Sequence, residues 1–442
     1  MGWAAEEFKT LDLGDGRLNA RAVLLAERLA SKPTESIPNA CQGWAETQGA
    51  YRFLSNARTD WQALLEPHWA CSEERMSGHG VVLNIQDTTE LDFNGRAATG
   101  LGPLSYEAQR GMYLHPTYAV STAREPLGVL DAWMWAREAK QADGTRAGVL
   151  ESTRWIEGYE RVAERAMALP QVRQVVVADR EADIVALLCR AKELQHAADY
   201  VIRCQHDRVL PQGGKLWGQV AQAPVLGRVV FELPAGRGRL ARTITQSLRA
   251  QVVELADGRG GRLQVTCVLA QEIDPPAGAK PVVWRLLSNR TVHTLDQAVE
   301  LVDWYRARWE IELFFLILKE GCRVEALQLG HVERIEVALA LYMVVAWRIN
   351  RLMRLGRGLP ELPADLLFET EEWQAAFVLN KKKPPKIVPP LNTVVRLIAQ
   401  LGGFLAQGRR RAGGQDAVAG SARHRRIRTR SALRSHGAMR CV

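Results

Sequence analysis

Cysteine is scarce in this chain. Its 442 residues hold seven, Cys41, Cys71, Cys189, Cys204, Cys267, Cys322 and Cys441, an odd number and widely scattered. No pair has zinc-ligand spacing, and an odd, scattered set is not the pattern of a disulfide framework, which points to a reducing cytoplasm. Long hydrophobic runs are also missing. The longest uncharged apolar stretch, Val337 to Trp347, is flanked by Glu336 and Arg348; it is too short to span a bilayer and reads as a buried helix. The first residues carry no secretory pattern, since Glu6, Glu7, Lys9 and Asp12 interrupt their apolar positions. No internal repeat is evident.

Acidic residues are nearly absent from one region. Between Ala376 and Val442 there are fifteen Lys and Arg against one acid, Asp416. That segment carries +14, and subtracting it from the chain's +9 leaves about −5 for the rest. The net basicity is a property of the tail and says nothing about whether the folded body binds DNA. Beyond Phe404 there is no aromatic residue, and from Gly408 onward the chain is Arg-rich without Lys, a composition expected of a disordered segment.

The chain that remains is long enough for several structural units. Residues 1–70 read as a helical domain, with one helix over Arg17 to Leu29 and another starting after the Asp60 cap. Val81 to Gln86 reads as a buried strand ending at Asp87-Thr88-Thr89-Glu90. After a loop with Gly100, Gly102 and Gly111 come two strands, about Tyr113 to Ser121 and Leu127 to Ala136, whose alternation suits antiparallel pairing. A helix over about Ala147 to Leu169 leads to the β-branched run Val172 to Ala178, which ends at Asp179 and turns into a helix over Glu181 to Leu194. Acidic residues at the ends of apolar strands are where α/β folds place chemistry. Residues 71–199 are therefore expected to form the first part of an α/β core. Short strands separated by Gly/Pro turns mark a β-rich insertion over 200–289, and 290–379 returns to the core. Residues 380–442 form a C-terminal region with a last helix at Leu391 to Phe404 and the basic tail.

The segment 290–379 opens with the helix expected from about Leu295 to Gly321, begun by the capping-box pattern Thr294-x-x-Gln297. At about 100° per residue, with Tyr305 at zero, Arg308 falls near −60°, Glu312 near −20° and Lys319 near −40°. These polar residues share one stripe on a helix that is otherwise apolar, so the stripe faces a polar cleft or buried partners. Periodicity alone leaves an ion-pair network and a catalytic role equally open.

Three carboxylates stand out: Asp87, Asp179 and Glu312. Phosphodiester cleavage assisted by paired metal ions about 4 Å apart needs acids that converge from several elements, and Mg²⁺ accepts a few hard oxygen ligands while keeping waters. Asp179-Arg180-Glu181-Ala182-Asp183 after a strand, with Tyr305-x2-Arg308-x3-Glu312-x6-Lys319, resembles the signature of bacterial cut-and-paste DDE transposases of the insertion-sequence-four family, which includes the transposon-five transposase. Leu13-Gly14-Asp15, Gly49-Ala50-Tyr51-Arg52-Phe53, Asp87-Thr88-Thr89 and Leu401-Gly402-Gly403-Phe404 match further blocks, so the resemblance covers roughly residues 3 to 405.

The resemblance implies an α/β fold: an RNase H-like mixed-sheet catalytic core with a β-rich insertion, a helical N-terminal DNA-binding domain, and a helical or disordered C-terminal region that serves dimerisation. It implies Asp87, Asp179 and Glu312 as catalytic residues holding two Mg²⁺ ions, for which Mn²⁺ can substitute. Tyr305, Arg308 and Lys319 would contact phosphates, and Trp284 would stack on an extruded base, against the alternative of an ordinary core tryptophan on a strand. Glu181, Asp183 and Trp309 would be supporting or packing residues. The implied partners are transposon-end and target DNA and a second copy of the chain in a paired-end complex, in the bacterial cytoplasm at the nucleoid, with no membrane. Two rival readings stay open. One is a degenerate or inhibitor-like copy that binds ends without cutting; the other is a metal-dependent nuclease of the same fold without strand transfer. The tail departs from the family, whose members continue into apolar, Trp-containing helices. Here it reads as a frame-altered remnant or a non-specific basic DNA-binding segment.

Overall fold

Five consecutive buried residues, Val82 to Gln86, make the first strand one that must be covered on both faces. A computed structural model of the protein describes residues 2–233 and 241–401. Its N-terminal helices are α1 (Trp3–Glu7), α2 (Gly16–Ser31), α3 (Ile37–Ala40), α4 (Trp44–Leu54) and α5 (Trp61–Ser77). Asp60 caps α5 by accepting the N–H groups of Gln62 and Ala63. The strands β1 (Val81–Gln86), β2 (Thr89–Asp92), β3 (Gly102–Pro103), β4 (Arg110–Ser121) and β5 (Pro126–Trp135) follow. Then come α6 (Thr153–Ala168), β6 (Arg173–Ala178), α7 (Val185–Glu193) and β7 (Asp199–Arg203).

β5, β4 and β1 pair antiparallel in sequence, and β1, β6 and β7 pair parallel. This run, β5-β4-β1-β6-β7, has the mixed order expected of an RNase H-like core. The insertion adds α8 (Leu216–Gln222), which the sequence did not suggest, and β8 (Val225–Leu233), β9 (Arg242–Ala256), β10 (Arg262–Glu272) and β11 (Val283–Ser288). These strands do not form a sheet of their own. β11 pairs with β7, and β10, β9 and β8 continue outward, so core and insertion share one sheet.

The face of each strand decides what lies beneath it, because side chains alternate. Leu83, Ile85, Val175, Val177 and Val201 pack into the cluster that holds Tyr305, Ile311, Phe314 and the apolar run of α11 (Val332–Gly358). Val176, Ala178, Tyr200 and Ile202 face the other way, onto Trp155 and Tyr159 of α6 and Leu187 of α7. The stretch Val337 to Trp347 is buried in α11, as its composition indicates. Among the described residues no helix is long and apolar enough to cross a membrane.

The helix expected over 295–321 is broken into pieces. α9 (Leu295–Arg306) starts at the predicted capping box, with Thr294 accepting the Gln297 N–H at 3.3 Å and Gln297 accepting the Thr294 N–H at 3.2 Å. Around Ala307 and Arg308 the helix tightens through i→i+3 bonds: Arg308 N–H to Tyr305 O at 3.0 Å and Glu310 N–H to Ala307 O at 2.9 Å. α10 (Trp309–Leu316) then widens into a π turn, Ile317–Gly321, closed by Cys322 N–H to Ile317 O at 2.7 Å. Constant rotation per residue therefore fails at both ends of the polar stripe. The chain continues through α12 (Thr370–Leu379) and α13 (Leu391–Leu401). The Gly402-Gly403-Phe404 block and the Arg-rich tail lie outside the described residues.

Candidate active site

Strand register brings the two aspartates together before any side chain is considered. β1 and β6 run parallel with Gln86 beside Ala178, so the next residues, Asp87 and Asp179, leave adjacent strands at the same level; neighbouring strands lie about 4.8 Å apart. Both continue the odd-numbered series of Ile85 and Val177, which faces α9 to α11. α10 presents Glu312 on that side.

Each acid is held locally. Asp179 caps the 3-10 turn Arg180–Ala182 by accepting the Glu181 N–H at 2.8 Å. Asp87 accepts the Thr88 N–H at 2.8 Å through Oδ1, and its Oδ2 lies 2.5 Å from Arg308 Nη1. The same Nη1 lies 3.3 Å from Glu312 Oε1. Arg308 thus bridges the strand-end acid and the helix acid, its charge paired with both carboxylates. Burial pushes the Asp87 carboxyl up to about 7 against the pull of Arg308, and the negative charges of Asp179 and Glu312 add to the rise. Burial works against the Arg308 charge too, but Asp87, Tyr305, Glu312 and Asp179 together hold the guanidinium above its usual range. The two directions agree physically: burial disfavours the Asp87 charge, while several acidic groups around one guanidinium favour the Arg308 charge.

Tyr305 is buried beside this cluster. Burial raises its hydroxyl's pKa while Arg308 and Arg203 oppose the rise. Trp284 on β11 meets Tyr305 edge-on at 5.9 Å and stacks on Phe231 of β8 at 5.6 Å, with rings 16° apart. The Arg306 guanidinium lies 4.9 Å from the Phe231 ring centre. Lys319, on the π turn, pairs with Glu325 at 3.6 Å, and Glu325 also accepts the Asp92 N–H. The structure thus gathers Asp87, Asp179, Glu312, Arg308 and Tyr305, sets Trp284 against Tyr305, and gives Lys319 a carboxylate partner of its own.

Arg203 and Phe231 are neighbours that the sequence reading passed over. Ile202 pairs with Ala178, so Arg203 stands beside Asp179 at the end of β7. The local signal is an apolar strand, β7, that ends in a charged residue. Phe231 carries no local sign of its role; only the pairing of β8 and β9 brings it to Trp284.

Asp87 and Glu312 offer carboxylate oxygens, the hard donors that Mg²⁺ takes, and the Arg308 guanidinium sits between them. Among the described residues no group of three or more His, Cys, Asp or Glu is gathered closely enough to grip an ion. Arg308 instead stands between Asp87 and Glu312.

Family comparisons match three consecutive parts of the chain. A transposase DNA-binding family covers residues 1–59, a transposase DDE domain covers residues 154–347, and a transposase Tn5 dimerisation domain covers residues 344–422. This chain belongs to the Tn5-type DDE transposases. Its setting is therefore DNA transposition. The dimerisation match begins inside α11, well before residue 380, and runs on past Gly408 into the Arg-rich stretch. Among solved structures, a cryo-electron microscopy structure of the piggyBac transposase synaptic complex with hairpin DNA matches 90% of this chain and 75% of its own, with 10% identity and a TM-score of 0.38.

Proposed function

We propose that this transposase is catalytically competent and that it cuts and joins DNA strands with Asp87, Asp179 and Glu312 as its metal-holding carboxylates. The observation that carries this reading is the register of β1 and β6. It sets two acids side by side on the face of the sheet that α10 covers, with Glu312 within reach of the same guanidinium.

Members of the family act with divalent ions. Two Mg²⁺ ions, or Mn²⁺ in their stead, would be held by the three carboxylates and would supply an activated water and charge stabilisation at the leaving oxygen. The chain's own residues prepare that site. Asp87 and Asp179 orient their oxygens through the backbone N–H bonds they accept. Arg308 is poised to leave the carboxylates for a DNA phosphate, a bidentate partner that suits a guanidinium. Tyr305 lines the same cleft, and Lys319 adds a point charge once released from Glu325. Trp284 offers an aromatic plate beside the cleft for a base turned out of the duplex.

The reaction order we assign is nicking of one strand, attack of the freed 3′-OH on the opposite strand to close a hairpin, hydrolysis of that hairpin, and attack of the released end on target DNA. Each step is an in-line phosphoryl transfer at one phosphorus. The partners are transposon-end DNA, target DNA and a second copy of the chain. The N-terminal DNA-binding match and the C-terminal dimerisation match support those partners. A protein acting on the bacterial chromosome works in the cytoplasm, at the nucleoid.

The test is to incubate the full chain with DNA carrying the element's own inverted repeats and Mg²⁺, beside Glu312→Gln. Mg²⁺-dependent nicking that the substitution abolishes, with end binding retained, is the expected result. Cleavage that survives it refutes the assignment of the acids. End binding without any cleavage by the unaltered chain would mark a copy that occupies ends and does not cut.

A further inference from the structure

The strand that delivers Asp87 is interrupted at that residue, and the interruption is closed from the opposite face of the sheet. β1 and β2 pair with one strand, β4, in a single unbroken register: Gln86 opposes Thr117 and Thr89 opposes Leu114. Counting inward, Asp87 stands opposite Pro116 and Thr88 opposite His115. Neither Asp87 nor Thr88 belongs to a strand, so the ladder is interrupted between β1 and β2. A side-chain pair spans the gap instead, Thr88 Oγ1 to His115 Nδ1 at 2.8 Å.

Alternation directs these residues to different sides. Asp87 belongs to the series that faces α10, and Thr88 to the series that faces α6. His115 is 1% exposed and meets the Trp155 ring of α6 edge-on, with centroids 4.5 Å apart. Burial, with Arg154 nearby, holds the imidazole neutral and moves its pKa down to about 3. Close by, α6 approaches the sheet so tightly that a Cβ on Gly158 would lie 2.5 Å from Gln86 Nε2. Thr88 also donates its backbone N–H to Asp87 Oδ1, so whatever fixes Thr88 fixes the carboxylate. His115 Nε2 has no hydrogen-bond partner among the described residues.

We propose that Thr88 and His115 form a positioning pair that clamps the end of β1 from behind the sheet and so sets the Asp87 carboxylate for a divalent cation. The inference rests on the reading of Asp87 as a metal-holding residue. Neither Thr88 nor His115 touches substrate; both act through Asp87. The side chains behind a metal ligand commonly change affinity by about ten- to a hundredfold when removed.

The test uses Mn²⁺ alone as the probe, titrated into the full chain and followed by electron paramagnetic resonance, so that binding is read without any cleavage assay. Thr88→Val keeps the shape and removes only the hydroxyl. It is expected to weaken Mn²⁺ binding by about tenfold or more, with thermal unfolding close to that of the unaltered protein. Thr88→Ser restores binding. His115→Phe, which keeps a ring against Trp155, weakens it by a similar factor, and the double variant is no weaker than either single one, because both remove the same contact. Thr88→Val binding Mn²⁺ as the unaltered chain does overturns the positioning pair. A separate arm isolates the underlying reading: if Asp87→Asn leaves Mn²⁺ binding unchanged, the metal assignment itself fails and the pair falls with it.

Discussion

Removing the charge of Asp87 should stabilise the metal-free protein, and by an amount that depends on pH. Its carboxyl has an ordinary value of 3.8 and a folded value of about 7, so between those values the folded state binds a proton that the unfolded state has released. Stability then falls as pH rises through that window, is unpenalised below about 4, and bears the full penalty above about 7. At about 1.4 kcal/mol per pH unit the penalty is about 4 kcal/mol at pH 8 and about 2 kcal/mol at pH 5.5. Asparagine cannot ionise and escapes it. Urea unfolding of Asp87→Asn beside the unaltered chain, without divalent ions, should show the variant more stable at both pH values, with a gap at pH 8 about twice that at pH 5.5. Adding Mg²⁺ at pH 8 should raise the unaltered chain and leave the variant unmoved, because the ion supplies the countercharge that the carboxylates lack. A variant less stable than the parent at pH 8, or a gap that does not narrow toward acid, would show that burial does not hold the Asp87 carboxyl above its ordinary value.

A different network should respond to acid in the opposite sense. Burial disfavours the Glu7 charge, but His68 and Arg75 outweigh it and hold the carboxyl down to about 2 from 4.5. Its contribution, about 3 kcal/mol, is present above pH 4.5 and is lost as pH falls toward 2; Glu7→Gln should therefore destabilise at pH 7 by about that amount and match the parent near pH 2, read by thermal or urea unfolding. Trp284→Ala should leave duplex-end binding intact but forfeit about 1–3 kcal/mol of stacking on an extruded base, seen as lost quenching of a 2-aminopurine placed at that base. Equal quenching in the variant would return Trp284 to a packing role against Phe231 and Tyr305.

Much of the site was legible because its parts are local patterns. Two apolar strands end in aspartate, and a capping box opens the helix that carries Tyr305, Arg308 and Glu312; short-range propensity and spacing encode these directly. The alternation that turns Asp87 and Asp179 toward one face is likewise written in the strands, as Ile85 and Val177 precede them by two residues. The direction of Lys319 does not follow from a uniform helix. The actual helix tightens at Ala307 and Arg308 and loosens from Ile317 to Gly321, and hydrogen bonding in those turns depends on tertiary contacts that spacing does not record. β7 was credited to the insertion because a short strand has no mark of which neighbour it will pair with.

The sequence by itself therefore determined which residues are candidates and on which element each sits. It also determined that the net positive charge belongs to the tail, and it carried the motifs of the family to which the chain belongs. Only the tertiary structure decided who meets whom. The parallel register of β1 and β6 sets the two aspartates level, Arg308 takes up both Asp87 and Glu312, and the insertion continues the core sheet so that Phe231 reaches Trp284. His115 reaches Thr88 from 27 residues away. Such pairings are long-range. They depend on register and on the face each strand turns to its neighbours, and no window of residues along the chain contains both partners.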